Sequence, residues 1–207
     1  MIKRLLLGLL VLLLLLAAVL AANTLRKGSR QIDVAPIAEL PVDKQAAAAH
    51  LSEAVQARTI SSRTDPAQNA DQFARLQAML QERYPKAHAV LKREIISDLS
   101  LLYTWQGSDP KAKPIMLMAH QDVVPVSPGT EDKWVAEPFA GTIRDGFVWG
   151  RGAWDDKGNL IAQMEAVEML AASGYRPERT GYLAFGADEE VAGERGAAKI
   201  AALLKER

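Results

Sequence analysis

The strongest constraint on the fold of this chain is a change of rhythm along it. Two uncharged runs read as strands: Ile115-Met116-Leu117-Met118-Ala119, continuously apolar as expected of a strand covered on both faces, and Thr180 to Ala187. The first ends directly on His120-Gln121-Asp122 and the second on Asp188-Glu189-Glu190. Between them, Lys157 to Ala172 has helical spacing, with Leu160, Met164, Val167 and Ala171 on one face and Gly174 as a C-terminal stop. Strands alternating with helices predict an α/β layer fold, and such folds place their chemistry beyond the carboxyl ends of strands.

The remaining elements are read in the same way. Asp43 is an N-cap for a helix through about Thr59, with Ala47, Leu51 and Val55 along one face. Asp65-Pro66 signals a second helix, a cap residue followed by proline at the first helical position; Phe73, Leu76 and Leu80 form its stripe and Tyr84-Pro85 ends it. Leu99 to Trp105 is rich in strand formers, and Gly107-Ser108-Asp109-Pro110 is a turn. Phe147-Val148-Trp149 is a short strand candidate, and Gly193 to Lys205 a last helix.

The amino terminus is of another kind. Lys3 and Arg4 precede Leu5 to Ala22, an uncharged run with eleven leucines. As a helix it would be roughly 27 Å long at about 1.5 Å per residue, close to the hydrocarbon thickness of a bilayer. It reads as a retained signal-anchor, or as a cleaved signal peptide with Ala21 and Ala22 near the cleavage point. Residues 1–22 are thus expected to be a membrane or export segment, 23–40 a stalk, and 41–207 a folded domain outside the cytoplasm, membrane-anchored or secreted. Charge balances, with 25 basic and 25 acidic residues, so no basic footprint invites nucleic acid. The absence of cysteine removes disulfides, thiolate metal sites and cysteine nucleophiles from consideration.

Three segments carry candidate chemistry: His120-Gln121-Asp122, Asp155-Asp156 and Asp188-Glu189-Glu190. Each has a structural alternative. The histidine can be hydrogen-bonded at a strand end, the paired aspartates can favour the dipole of the helix from Lys157, and the acidic triplet can be a solvated loop. Together they read differently, because carboxylates gathered at the top of a sheet repel one another unless a cation sits among them. Imidazole with carboxylates suits zinc, with cobalt or manganese as substitutes.

The motifs around these residues resemble those of the aminoacylase, carboxypeptidase S and glutamate carboxypeptidase family of di-zinc metallopeptidases. The first is Leu117-Met118-Ala119-His120-Gln121-Asp122-Val123-Val124-Pro125. The second runs from Trp134 through Pro138-Phe139, Gly141, Asp145-Gly146 and Gly150-Arg151-Gly152-Ala153 to Asp155-Asp156-Lys157-Gly158, and the third is Asp188-Glu189-Glu190 with Gly193 and Gly196-Ala197. Gln106-Gly107-Ser108-Asp109-Pro110 points to the carboxypeptidase S branch, which includes enzymes acting on N-fatty-acyl amino acids.

The resemblance implies a three-layer α/β catalytic domain with a mixed sheet flanked by helices, two zinc ions, and hydrolysis of amide bonds in peptides or N-acyl amino acids. It implies that His120 binds one zinc, that Glu190 binds the other, and that Asp155 bridges them, with a cis peptide after Asp155. Asp122 would hold the His120 ring, fixing its tautomer, and Glu189 would be the general acid/base. Glu189 and Glu190 are adjacent, so on an extended strand they would face opposite ways; a turn must bring both inward.

The family needs further ligands, a carboxylate and a late histidine, and a dimerising lid that contacts substrate; a homodimer is implied only for a chain that carries that lid. These 207 residues do not supply them, and His50 and His88 precede the first motif. They are therefore expected, alone, to bind zinc weakly, to be inactive, and to expose an uncovered sheet edge prone to aggregation. The competing function is a non-catalytic, membrane-anchored binding module on the same fold. Retention of Glu189 argues against it, since binding alone needs no general base.

Overall fold

The computed structural model describes residues 1–36 and 38–207. The chain divides into two compact units, Met1–Pro41 and Val42–Arg207. In the first, helix α1 (Ile2–Arg26) is continuous, and its length and composition would let it cross a membrane; a signal sequence meets the same description.

The second unit is built around a four-stranded mixed sheet. After α2 (Lys44–Gln56), α3 (Ala70–Arg83) and α4 (Pro85–Val90) come β1 (Lys92–Ile96), β2 (Ser100–Trp105) and β3 (Ile115–His120). A separate hairpin of β4 (Thr142–Arg144) and β5 (Phe147–Trp149) follows, then α5 (Lys157–Ala172), β6 (Gly181–Gly186) and α6 (Ala197–Lys205). The strand order is β1-β2-β6-β3. β2 pairs antiparallel with both neighbours, while β3 runs parallel to β6, with His120 opposite Gly186. This register brings the two site-bearing strands to an end side by side.

Three layers result, as expected. On one face Leu101, Tyr103, Leu183 and Phe185 pack against Leu76 and Leu80 of α3 and Leu160 and Met164 of α5. On the other, Leu102 and Ala184 meet Ile200 of α6. Burial of a leucine-sized side chain contributes about 1.5–3 kcal/mol, so the α5 stripe both forms the helix and fixes it to the sheet.

Several boundaries differ from those read in the sequence, each for a physical reason. Asp43 does cap α2, accepting from the Gln45 and Ala46 amides, but the helix ends at Gln56 rather than near Thr59. Asp65 caps only a turn, accepting from the Ala67 amide, and α3 begins at Ala70 after Asn69 adopts a left-handed conformation. Pro85 ends α3 and also opens α4, where its fixed φ suits a first helical residue. β1 was not expected, because Lys92, Arg93 and Glu94 obscure its strand character; it is an edge strand that tolerates charge. The last helix starts at Ala197, not Gly193, which turns the chain at φ +68 instead.

One expectation about β3 is corrected. Its apolar run is not covered on both faces: Met118 is 62% exposed, and β3 forms the edge of the sheet. Two α5 side chains partly occupy that edge, since Asn159 Nδ2 and Gln163 Nε2 both donate to the Met118 carbonyl.

Candidate metal centre

The site lies where β3 and β6 end. His120 closes β3 and is buried, its ring held from both sides. Nδ1 lies 2.9 Å from the Asp122 carbonyl oxygen and 3.3 Å from Asp122 Oδ1, so the backbone is the nearer partner. Nε2 faces the opposite way, 2.9 Å from Asp155 Oδ1 and 3.8 Å from Glu189 Oε2.

Asp155 stands in the loop before α5, its side chain 72% exposed. The peptide bond from Asp155 to Asp156 is cis. Asp156 serves a different purpose from its neighbour: Oδ2 accepts the His120 amide at 3.2 Å, tying the loop to the end of β3. Gly152 permits this path at φ +84, and a Cβ there would lie 2.6 Å from Val123 Cγ1.

The acidic triplet after β6 divides in the same manner. Asp188 is buried and structural, accepting the Arg195 and Gly196 amides at the start of α6. Glu189–Val191 then forms a single 3-10 turn. That turn answers the geometric demand raised by two adjacent glutamates. Asp122, with no exposed surface, accepts the Glu189 amide on Oδ1 and the Glu190 amide on Oδ2, each at 3.1 Å. One carboxylate therefore touches the histidine ring and both glutamate backbones.

Candidate ligand atoms of His120, Asp155 and Glu190 all lie within 4.8 Å of one another. The charge balance fits a cation at this point. Burial pushes the Glu190 carboxyl up, as do Asp155, Asp122 and Glu189, against the pull of His120. Burial also opposes the His120 charge, but hydrogen bonds to Asp122 and Asp155 outweigh it and raise the imidazole to about 9. Asp122 moves the other way: despite burial, contacts from His120, Ser61 and the Glu190 amide hold it below its ordinary value. An imidazole and two converging carboxylates are a donor set for a divalent ion such as zinc. A groove of about 400 Å³ opens beside His120 and Glu189, with Met118, Ala184 and Ile200 on its apolar side.

Sequence reasoning set His50 and His88 aside as metal ligands, and in the structure both have other partners. His50 Nδ1 pairs with Glu165 at 2.6 Å and His88 Nε2 with the Tyr103 hydroxyl at 3.1 Å. It missed Ser61, which donates to Asp122 Oδ2, and the burial of Lys157, whose Nζ donates to the carbonyls of Ala54 and Ala57. Ser61 carries no local signal; Lys157 stands inside the Asp155-to-Gly158 motif, where a charge beside two acids reads as a surface residue.

Fold and cluster together define a class: an α/β domain with imidazole and carboxylates gathered over parallel strand ends. Residues 116–207 match peptidase family M20/M25/M40. The chain is 42% identical over 174 residues to carboxypeptidase S of Saccharomyces cerevisiae, covering 81% of this chain and 30% of that protein. It is 40% identical over 159 residues to the N-fatty-acyl-amino acid synthase/hydrolase PM20D1 of Mus musculus, covering 76% and 31%. Its fold is similar to human carnosine dipeptidase 1, with TM-score 0.59 and 22% identity over 79% of this chain and 35% of the other. The chain is thus similar to the carboxypeptidase S and N-acyl amino acid hydrolase branch of peptidase family M20/M25/M40, with the family match confined to residues 116–207. It spans about a third of the length of these curated relatives.

Proposed function

We propose that residues 42–207 are the N-terminal part of the catalytic domain of a metal-dependent hydrolase that cleaves amide bonds, at the carboxyl end of peptides or in N-acyl amino acids. The observation that carries this reading is the convergence of His120, Asp155 and Glu190. The two substrate classes are those named by the carboxypeptidase and N-fatty-acyl-amino acid relatives.

In this reading His120, Glu190 and Asp155 would hold two zinc ions, with Asp155 shared between them, and cobalt or manganese would substitute. A bound divalent ion supplies an acidified water and a polarised carbonyl. The remaining work belongs to side chains. Glu189 takes the proton of the attacking water and delivers it to the departing amine, restoring its carboxylate. Its side chain is 61% exposed, which leaves the carboxylate open to water and substrate. Asp122 keeps the proton of the histidine ring on Nδ1, leaving the Nε2 lone pair for metal.

Three ligands shared by two ions are fewer than the three protein ligands usual for each catalytic zinc. These residues alone are therefore expected to bind zinc weakly and to turn over little substrate. The apolar run of α1 supports a signal or anchor role for residues 1–22, with 23–40 as a stalk and the folded unit outside the cytoplasm.

The test is a set of single substitutions in the purified chain, read by zinc affinity. His120→Ala, Asp155→Ala and Glu190→Ala are each expected to weaken binding, while Glu189→Gln leaves it intact. Equal loss in Glu189→Gln and Glu190→Ala would remove the distinction between base and ligand. Hydrolysis by the unsubstituted chain at enzyme-like rates would overturn the expectation that it is incomplete.

A further inference from the structure

The carboxylate at the centre of the site is held by a segment that the proposed reaction does not use. Residues 59–61 run beside 121–123. Thr59 Oγ1 donates to the Gln121 carbonyl at 2.6 Å, the Val123 amide donates to the Thr59 carbonyl at 3.0 Å, and Ile60 forms a parallel bridge with Val123. Ser61 Oγ then donates to Asp122 Oδ2 at 2.7 Å, shorter than the 3.1 Å bonds that the same carboxylate accepts from the Glu189 and Glu190 amides. Beyond it, Arg195 donates through a guanidinium nitrogen to the Ser62 carbonyl at 2.7 Å, and through its amide to Asp188. The segment is thus fastened to the residues that follow β3 on one side and, through Arg195, to the loop bearing the two glutamates on the other.

We propose that Ser61 is a positioning residue for the metal centre, acting through Asp122. The proposal rests on the reading of the site given above and extends it to a residue outside the three motifs. The terminal torsion of an aspartate is broad, so its own rotamer preference does not set where the two oxygens lie. Partners must do so. Oδ1 serves His120 and the Glu189 amide, and Oδ2 serves the Glu190 amide; a rotation that improves one side loosens the other. A hydroxyl bond to a carboxylate is among the stronger hydrogen bonds. Its donor here is anchored through the neighbouring backbone, so it fixes Oδ2 and with it the turn that presents Glu189 and Glu190.

The experiment compares Ser61→Ala and Ser61→Thr with the unsubstituted 207-residue chain. Zn²⁺ affinity is measured by competition with a chromophoric chelator, and the melting temperature is recorded without metal. Ser61→Ala is expected to weaken Zn²⁺ binding several-fold, less than the roughly tenfold or more lost with a direct partner of a metal ligand because it acts through Asp122, and Ser61→Thr, which keeps the hydroxyl, to restore most of it. Unchanged affinity in Ser61→Ala overturns the proposal, even if melting falls, because that is the result of a merely structural role. Equal loss in Ser61→Thr overturns it as well. Failure of the unsubstituted chain to bind Zn²⁺ saturably, or binding that survives His120→Ala, instead sinks the metal reading and the Ser61 inference with it.

Discussion

Lys157 Nζ donates to the Ala54 carbonyl at 2.9 Å, from a side chain with no exposed surface. A second bond reaches the Ala57 carbonyl at 2.5 Å, so one amine caps the end of α2 from a position two residues after Asp155. The loop bearing the site is in this way fastened to the scaffold. Burial pushes the ammonium pKa down to about 7, Arg75 adding to the effect and Asp122 opposing it. A neutral amine still has two hydrogens for two carbonyls, so the contact survives deprotonation.

Lys157→Met leaves those carbonyls without a donor, and buried unsatisfied acceptors cost about 1–3 kcal/mol. The sign of the pH effect follows from the depressed value. The unfolded chain, with lysine near 10.5, binds more protons than the folded chain from about pH 7 upwards. The advantage of the unsubstituted chain over Lys157→Met is therefore expected to grow between pH 7 and about 10. Urea midpoints of both proteins at pH 7 and 9.5 measure it; a gap that shrinks with pH contradicts the assignment.

Gly152 is expected to tolerate no side chain. Its φ of +84 disfavours L-residues, and a new methyl would meet Val123 at 2.6 Å. Overpacking of this kind costs about 1–3 kcal/mol. Gly152→Ala should lower the melting temperature and weaken zinc binding together, because Val123 adjoins Asp122 and Gly152 belongs to the loop of Asp155. Loss of neither would show that the loop yields freely.

Metal uptake should release a proton. With the His120 imidazole raised to about 9, it is charged at neutral pH in the metal-free chain, and zinc must displace that proton. Affinity is expected to fall about tenfold for each unit below pH 9 from this group. The same shift stabilises the metal-free fold: the contribution is complete below the unfolded value of about 6.5 and is lost as pH rises through 9. Calorimetry at pH 7.5 in two buffers of different ionisation enthalpy counts the proton; a buffer-independent heat would mean that the ring is already neutral.

The sequence reading found the elements with a clear period and the acids that break it. β3, β6 and α5 are where uncharged runs and a helical stripe put them, and His120, Asp155 and Glu190 are brought together because β3 and β6 end side by side. What it missed depends on distant partners. Nothing local says that Asp122 accepts amides from residues 189 and 190, that Asp156 turns to the His120 amide, or that Lys157 is buried beneath α2. β1 escaped because an edge strand can carry Lys92, Arg93 and Glu94 without cost, and the misplaced start of α3 because Asp65 caps a turn as readily as a helix.

Of the three histidines, His120 alone is proposed to bind metal, through one nitrogen. Nitrogen-15 spectra of the histidine side chains, recorded during a Zn²⁺ titration, test it most directly. The expected result is a shift of His120 Nε2 alone, with the rings of His50 and His88 undisturbed in their bonds to Glu165 and Tyr103. A zinc-dependent shift at His50 or His88 while His120 stays protonated on both nitrogens would contradict it.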